Sequence, residues 1–417
     1  MDATAGRPLR VLHLAPGGWP RIGGGQLLST RLAEGLALRG HAVHMVDAAH
    51  GSMAWTGVAA DAGAAPPAPP PGLVVSRPGG WERLQRWEER LRRWPVPGRS
   101  NLRKALHRRQ GPLLAQHLVQ LLRRERADVL LVSSVGRQLV QAAQAARAEV
   151  PVALLAVPMA HFEDPGFGWD EALPFWRSAD ALAANTPYEA DELARRTGLP
   201  REACVVTGVG SEAPPAPEPW PRPPVIVFLG RIVPGKGIDL LLEALQQPPL
   251  QRAFAAQPEA RLVVAGARTG LSAPIEAAIA ALPPALRARV DSPRDLPEVA
   301  KHDLLARARV LVLPSRMESF GIVLLEAWVQ GTPVVTVDTP VGRAVVTHGH
   351  DGLCVPPSDP AALSAALAQL LADASLAQRL GSAGRTTSLT HHTWPLVAER
   401  YERACRVALA RHAGEPG

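Results

Sequence analysis

Two glutamates stand eight positions apart in RMESFGIVLLEAWVQGTP, residues 316–333. Glu326 interrupts an otherwise apolar run from Ile322 to Val329, where an ionised carboxylate without a partner costs several kcal/mol. Glu318 precedes the run, just ahead of Ser319, Phe320 and Gly321. On one continuous helix the pair would sit on roughly the same side, about 12 Å apart along the axis. A helix starting near Phe320 instead leaves Glu318 in the loop above it, with the amides of Ser319 to Val323 at a helix N-terminus, a natural phosphate site. A ligand with phosphates in the middle and hydroxyl-rich groups at both ends fits this arrangement, and a nucleotide sugar has that shape. Glu326 would grip one polyol, Glu318 the other, and the helix start the phosphates. The competing reading of Glu326 is a structural ion pair with a neighbouring arginine.

FLGRIVPGKGID supplies two cations, Arg231 and Lys236, just past the C-terminal end of a strand, where open α/β sheets bind ligands. They could clamp a diphosphate and stabilise it as it leaves; the plainer reading is an exposed loop with incidental charge. PRIGGGQLLSTRL places Gly23, Gly24 and Gly25 before a helix, allowing close backbone approach to a ligand or simply a flexible turn. It is not the G-x-G-x-x-G dinucleotide pattern. His161, in AVPMAHFEDPG, lies just past a strand end beside Glu163 and Asp164, and such an imidazole can hydrogen-bond a hydroxyl with a carboxylate orienting it. The chain has no Asp-x-Asp, no His/Cys spacing of a metal site, no Gly-x-Ser-x-Gly and no Walker-type loop. No metal is therefore expected, and Arg231, Lys236 and a helix dipole would take its place.

The elements around these residues alternate. LRVLHLA reads as a strand, LLSTRLAEGLALRG as an amphipathic helix and HAVHMVD as the next strand, the opening of a doubly wound parallel sheet. GLVVS, ADVLLVSS, VPVALLAV, ADALAAN and ACVVTGV continue it. The Pro-rich stretch Ser211 to Pro224 reads as an interdomain linker of polyproline character. The strand–helix alternation then restarts with PVIVFLG, RLVVAG, RVLVLPS and PVVTV, so the expectation is two α/β domains, 1–213 and 214–397. The last helix, TWPLVAERYERACRVALARH, comes after the second sheet should be complete. Residues 61–72 are low complexity and read as a loop. Within the arginine-dense stretch 81–126, Trp81, Leu84, Trp87, Leu91 and Trp94 fall on one helical face. That face would lie on an anionic membrane or pack as an ordinary surface helix.

A chain of 417 residues with 47% apolar content can bury two cores. Its net charge of +7 is arginine-driven, since Lys104, Lys236 and Lys301 are the only lysines; a basic balance suits anionic ligands without choosing among phosphates, nucleic acid and membrane. Three widely spaced cysteines suggest a reducing compartment, and no apolar run reaches the roughly 20 residues of a membrane span. A cytoplasmic protein, at most peripheral to the inner face of a membrane, is expected. Nucleic-acid binding through the arginines is disfavoured, because no recognised module accompanies them.

Taken together, these residues resemble the retaining nucleotide-sugar glycosyltransferases of family 4, which have the GT-B fold. The likeness is sharpest from GRIVPGKGID through RLVVAG to LPSRMESFGIVLLEAWVQGTPVV and HGHDGLCVPPSDPAAL, and weakest from about 50 to 126. It implies two Rossmann-like domains facing a cleft, with the C-terminal helix, 398–417, crossing back to the first domain. The donor would sit mainly on the second domain and the acceptor mainly on the first. By motif position Glu326 would hold the ribose hydroxyls; Glu318, with the backbone at Phe320 and Gly321, the donor sugar; Arg231 and Lys236 the diphosphate. Gly23, Gly24, Gly230, Gly266, Ser319, Ile322 and Val323 complete the implied donor-binding set. His161 would contact the sugar near the reacting carbon, making His161, Arg231, Lys236 and Glu318 the catalytic group. The implied reaction moves a sugar from a nucleoside-diphosphate sugar to a hydroxyl acceptor with retention, without metal or other cofactor. Gly25 and Gln26 stand where many relatives have a small and an acidic residue, which bears on the acceptor contact. Two other readings stay open: an epimerase or hydrolase of the same fold, and a non-catalytic sugar-nucleotide-binding subunit.

Overall fold

The computed structural model describes residues 6–16, 24–48, 68–79, 99–133, 136–162, 169–212, 214, 216–294 and 296–414. They divide into two compact units, one of Met1–Gly208 with Trp394–Gly417 and the other of Val209–Thr393. The division falls a few residues ahead of 213/214 and 397/398.

The first unit is built on seven parallel strands: β1 (Arg10–Ala15), β2 (Ala42–Asp47), β3 (Leu73–Ser76), β4 (Val129–Ser133), β5 (Ala153–Val157), β6 (Ala181–Ala184) and β7 (Cys204–Val206). Their spatial order is β3-β2-β1-β4-β5-β6-β7. β4, β5 and β6 are buried at every position, as expected of parallel strands covered on both faces. Helix Gly24–Leu38 begins directly at Gly24. Gly24 and Gly25 are thus its first turn, not a loop ahead of it, and Gly23 lies outside the described residues. Gly35 of this helix faces helix Trp394–His412 so closely that an added Cβ would lie 2.6 Å from the Ala398 Cβ. The C-terminal helix also packs along β5 and β6, burying Val397, Tyr401, Cys405 and Ala408.

Of the segment 81–126, residues up to 98 lie outside the described set, and the Trp81–Trp94 face with them. Residues Arg99–Glu125 form one helix with Pro112 inside it, and from Leu114 to Leu122 it buries Leu114, Leu118, Leu121 and Leu122 in the first core. That apolar face is used in packing. Among the described residues no single helix is long and apolar enough to cross a bilayer.

The second unit carries six parallel strands: β8 (Val225–Leu229), β9 (Arg261–Ala265), β10 (Val290–Asp291), β11 (Val310–Leu313), β12 (Val334–Val337) and β13 (Gly352–Val355), in the order β10-β9-β8-β11-β12-β13. The two-residue β10 and the glycine-led β13 lack a readable strand pattern. The Pro-rich stretch does not hang free: Arg222, only 3% exposed, donates to the Gln330 carbonyl at 2.6 Å and accepts from Arg309 Nε at 3.1 Å. Its guanidinium lies 4.8 Å from the centre of the Trp220 ring. The order in which strands are added reverses in both sheets, between β1 and β4 and between β8 and β11, and loops at such a switch point are where open α/β sheets present ligand-binding groups.

Candidate functional site

The loop after β8 and the loop after β11 leave neighbouring strands, since Val310 pairs with Ile226. Residues 82 positions apart therefore meet: Lys236 Nζ donates to Glu318 Oε1 at 2.5 Å, with the side chains 15% and 16% exposed. Lys236 ends the turn Pro234–Lys236, and Gly237 follows at φ 72°. A Cβ on Gly237 would lie 1.9 Å from the Pro314 carbonyl oxygen, so only glycine lets the two loops approach this closely. The loops are further tied by Arg316 N–H to the Gly235 carbonyl at 3.3 Å, by Ser315 Oγ to the same oxygen at 3.3 Å, and by the Arg316 guanidinium to both Asp239 oxygens at 3.2 and 2.9 Å.

Helix Ile322–Val329 starts two residues later than its sequence suggests, with Gly321 at φ 88° as its cap. Leu324 N–H closes onto the Gly321 carbonyl; no acceptor in the described chain takes the N–H groups of Ser319 to Val323. Phe320 is buried, Ser319 and Ile322 are half-buried, and Val323 turns inward. The anion-seeking end of this helix thus sits beside the Lys236–Glu318 pair.

Glu326, four residues into the helix, has a lysine as its partner, not an arginine. Lys301 Nζ donates to Glu326 Oε1 at 3.0 Å and lies 2.7 Å from Glu298 Oε2. Lys301 and Glu326 are each 14% exposed. Burial pulls the Lys301 pKa down, but the charges of Glu326 and Glu298 outweigh it and hold it above the ordinary lysine value. Lys301 was not singled out from sequence. Two signals pointed to it: lysine is scarce in this chain, and a glutamate inside an apolar helix requires a cation.

Gly266 and Gly230 end β9 and β8. Gly266 adopts φ 145°, and a Cβ there would lie 1.7 Å from the Gly230 carbonyl oxygen, so this pair has a backbone-packing reason to be glycine. Arg231 is exposed and forms no side-chain hydrogen bond or ion pair among the described residues, leaving its guanidinium available to an anion. In the first unit, His161 is half-buried just beyond β5; its sequence neighbours Glu163 and Asp164 lie outside the described residues. Gly25 is at the same strand ends, where an added Cβ would lie 3.6 Å from Met159 Sδ. Among the described residues no group of three or more His, Cys, Asp or Glu is placed to hold a metal.

Two family models match the chain: glycosyl transferase 4-like domain over residues 23–210 and glycosyl transferases group 1 over residues 212–387. The chain is 38% identical over 226 residues to a D-inositol 3-phosphate glycosyltransferase of Streptomyces bingchenggensis, covering 49% of this chain and 48% of the relative. It is 33% identical over 245 residues to a glycogen synthase of Mycobacterium tuberculosis, covering 57% and 56%. The chain thus spans about half the length of the curated relatives it matches. Among solved structures, a sucrose-phosphate synthase of Thermosynechococcus elongatus superposes with a TM-score of 0.70 at 19% identity, covering 95% of this chain and 98% of that one. Anabaena HepE, solved with UDP and glucose, superposes with a TM-score of 0.68 at 17% identity, covering 95% and 98%.

Proposed function

Since the chain belongs to the GT-B glycosyltransferases of the family 4 type, we propose that it transfers a sugar from a nucleoside-diphosphate sugar to a hydroxyl acceptor. The observation that carries this reading is the Lys236–Glu318 pair, held at a switch point beside the unused amides of a helix start. A diphosphate would draw Lys236 away from Glu318, and Arg231 and the helix amides would share the remaining charge. Glu318, released, would accept from hydroxyls of the donor sugar. Glu326 would bind the ribose hydroxyls with one oxygen while Lys301 holds the other. His161, on the first unit, is assigned to the sugar near its reacting carbon, and Gly24 to a close backbone approach.

Negative charge develops on the departing diphosphate as the glycosidic bond breaks, and fixed cations and amides stabilise it at that moment. We infer retention of configuration and no required metal, the role of a divalent ion falling to Arg231, Lys236 and the helix dipole. HepE, one of the superposing structures, was solved with UDP and with UDP-glucose, which makes UDP-sugars the first donors to try. The reading extends to a cytoplasmic protein, with the 81–126 segment touching an anionic membrane; salt-sensitive co-sedimentation with anionic vesicles tests that part.

The central test is a thermal-shift panel of UDP-, GDP- and ADP-sugars on the wild type and on Lys236→Ala. A donor at a hundred times its dissociation constant adds about 2.7 kcal/mol. A shift with one nucleotide class, lost in the variant, supports the site and identifies the base. No shift with any donor in either protein refutes the donor-site reading.

A further inference from the structure

The first unit holds a carboxylate that the donor chemistry does not use. Glu189 is 1% exposed, yet both of its oxygens are taken by backbone amides: Oε1 accepts from Ala160 N–H at 2.8 Å and Oε2 from Asn185 N–H at 2.6 Å. Ala160 follows β5 and immediately precedes His161; Asn185 follows β6. One side chain thus ties together the ends of two neighbouring strands.

Local sequence explains half of this. Thr186-Pro-Tyr-Glu189 is a capping-box pattern, and Thr186 Oγ1 does accept from Glu189 N–H at 3.0 Å. An ordinary capping box turns its glutamate back onto the cap residue's own amide at an exposed helix end. Here the carboxylate passes that amide by and reaches across to β5, in a fully buried position. The segment it reaches is strained: Met159 has φ 48° without being glycine, a conformation costing of order 1–3 kcal/mol unless its surroundings hold it. The Ala160–Glu189 hydrogen bond is one such hold, on the residue between Met159 and His161.

We propose that Glu189 is a positioning residue: its carboxylate fixes the Met159–His161 turn and so sets where the His161 imidazole stands during transfer. The catalytic consequence rests on the function proposed above; the positioning itself does not. The ionised form is the one that holds the turn, because a protonated carboxyl turns one of its two acceptors into a donor. Its carboxylate meets the Ala160 and Asn185 amides, and the titratable group in electrostatic reach among the described residues is the Tyr401 phenol of the C-terminal helix, which burial pushes far above its usual range and Glu189's charge pushes further. Burial outweighs both amide bonds and pushes the Glu189 pKa up to about 7. The turn should therefore tighten as pH rises through neutrality.

The first measurement needs no substrate. In an NMR titration of the 15N-labelled full chain, the Ala160 and Asn185 amides should shift together with one midpoint near 7. In Glu189→Gln, whose amide can satisfy only one of the two donors, that shared titration should vanish and the His161 ring signals should move. The second measurement is UDP release from UDP-glucose with water as acceptor. Wild-type kcat should rise through the same midpoint, while Glu189→Gln should be flat and about ten- to a hundredfold slower at alkaline pH, with KM within about twofold of wild type. Amides that do not move, or that move with separate midpoints, overturn the proposal, as does a Glu189→Gln enzyme with wild-type kcat and pH profile. If the wild type releases nucleotide from no donor, the function fails while the amide titration still decides Glu189. If Glu189→Gln does not fold, the wild-type titration decides alone.

Discussion

The Lys301–Glu326 pair gives the sharpest quantitative test of how the second unit holds its donor-side carboxylate. Each partner is 14% exposed and they meet at 3.0 Å, so Lys301→Met leaves Glu326 mostly buried beside Glu298 without its cation. Removing one member of a fully buried pair costs about 3–5 kcal/mol. The remaining exposure reduces this to about 2–3 kcal/mol. For a unit of this size that corresponds to a fall in Tm of about 4–12 °C. Glu326→Gln should cost less, about 1–2 kcal/mol, because Lys301 keeps Glu298. The double variant should recover part of the loss, with a coupling of about 1–2 kcal/mol.

The Lys301 pKa is raised in the folded state. Its stabilisation is therefore fully present below the unfolded lysine value, about 10.4, and is lost only as pH rises through the folded value; the cycle should give the same coupling from neutral to mildly alkaline pH. Urea and thermal unfolding of the four proteins measure it. Single effects that add to within about 0.5 kcal/mol would show that the two side chains do not act together, and the account of Glu326 would fall with them.

Two further outcomes follow from the geometry. Gly237→Ala should lose roughly 2–4 kcal/mol and any donor-induced thermal shift, because its Cβ would collide with the Pro314 carbonyl; Gly349→Ala, at a similar φ of 76° with open space around it, should lose only about 1 kcal/mol. In the first unit, burial works against the Glu402 carboxylate, but Arg406, Arg39 and His41 outweigh it and hold its pKa down at about 2. A depressed carboxylate adds stability above its unfolded value of 4.5 and loses it as pH falls from there to about 2, so Glu402→Gln should flatten the acid limb of the first unit's stability curve, measured by unfolding at graded pH.

The two parallel sheets were legible along the chain, because strands buried on both faces must be near-continuous apolar runs, as VPVALLAV and PVIVFLG are. The sequence also marked Glu318, Glu326, Arg231 and Lys236, residues whose charge is out of place at a strand end or in an apolar helix. Two helix starts are misplaced by local reading: Gly24 and Gly25 read as a loop because glycine reads as a break, and Phe320 reads as a helix start because the left-handed φ of Gly321, which delays the helix to Ile322, is invisible in the residue type. Partnership came only with folding. Lys236 meets Glu318 only because β8 and β11 are neighbours, an order fixed by which faces bury best across the whole sheet. Lys301 reaches Glu326 only because helix Glu298–Arg307 lies beside helix Ile322–Val329. Glycine at Gly266 is required by the approach of β9 to β8. The TPYE pattern announced a helix cap, but the burial that sends Glu189 to Ala160 instead comes from elements distant in the chain, among them the C-terminal helix that carries Tyr401. Periodicity and charge are local properties and can be read along a chain; the environment of a charge depends on which distant segments close around it, and only the folded chain fixes that.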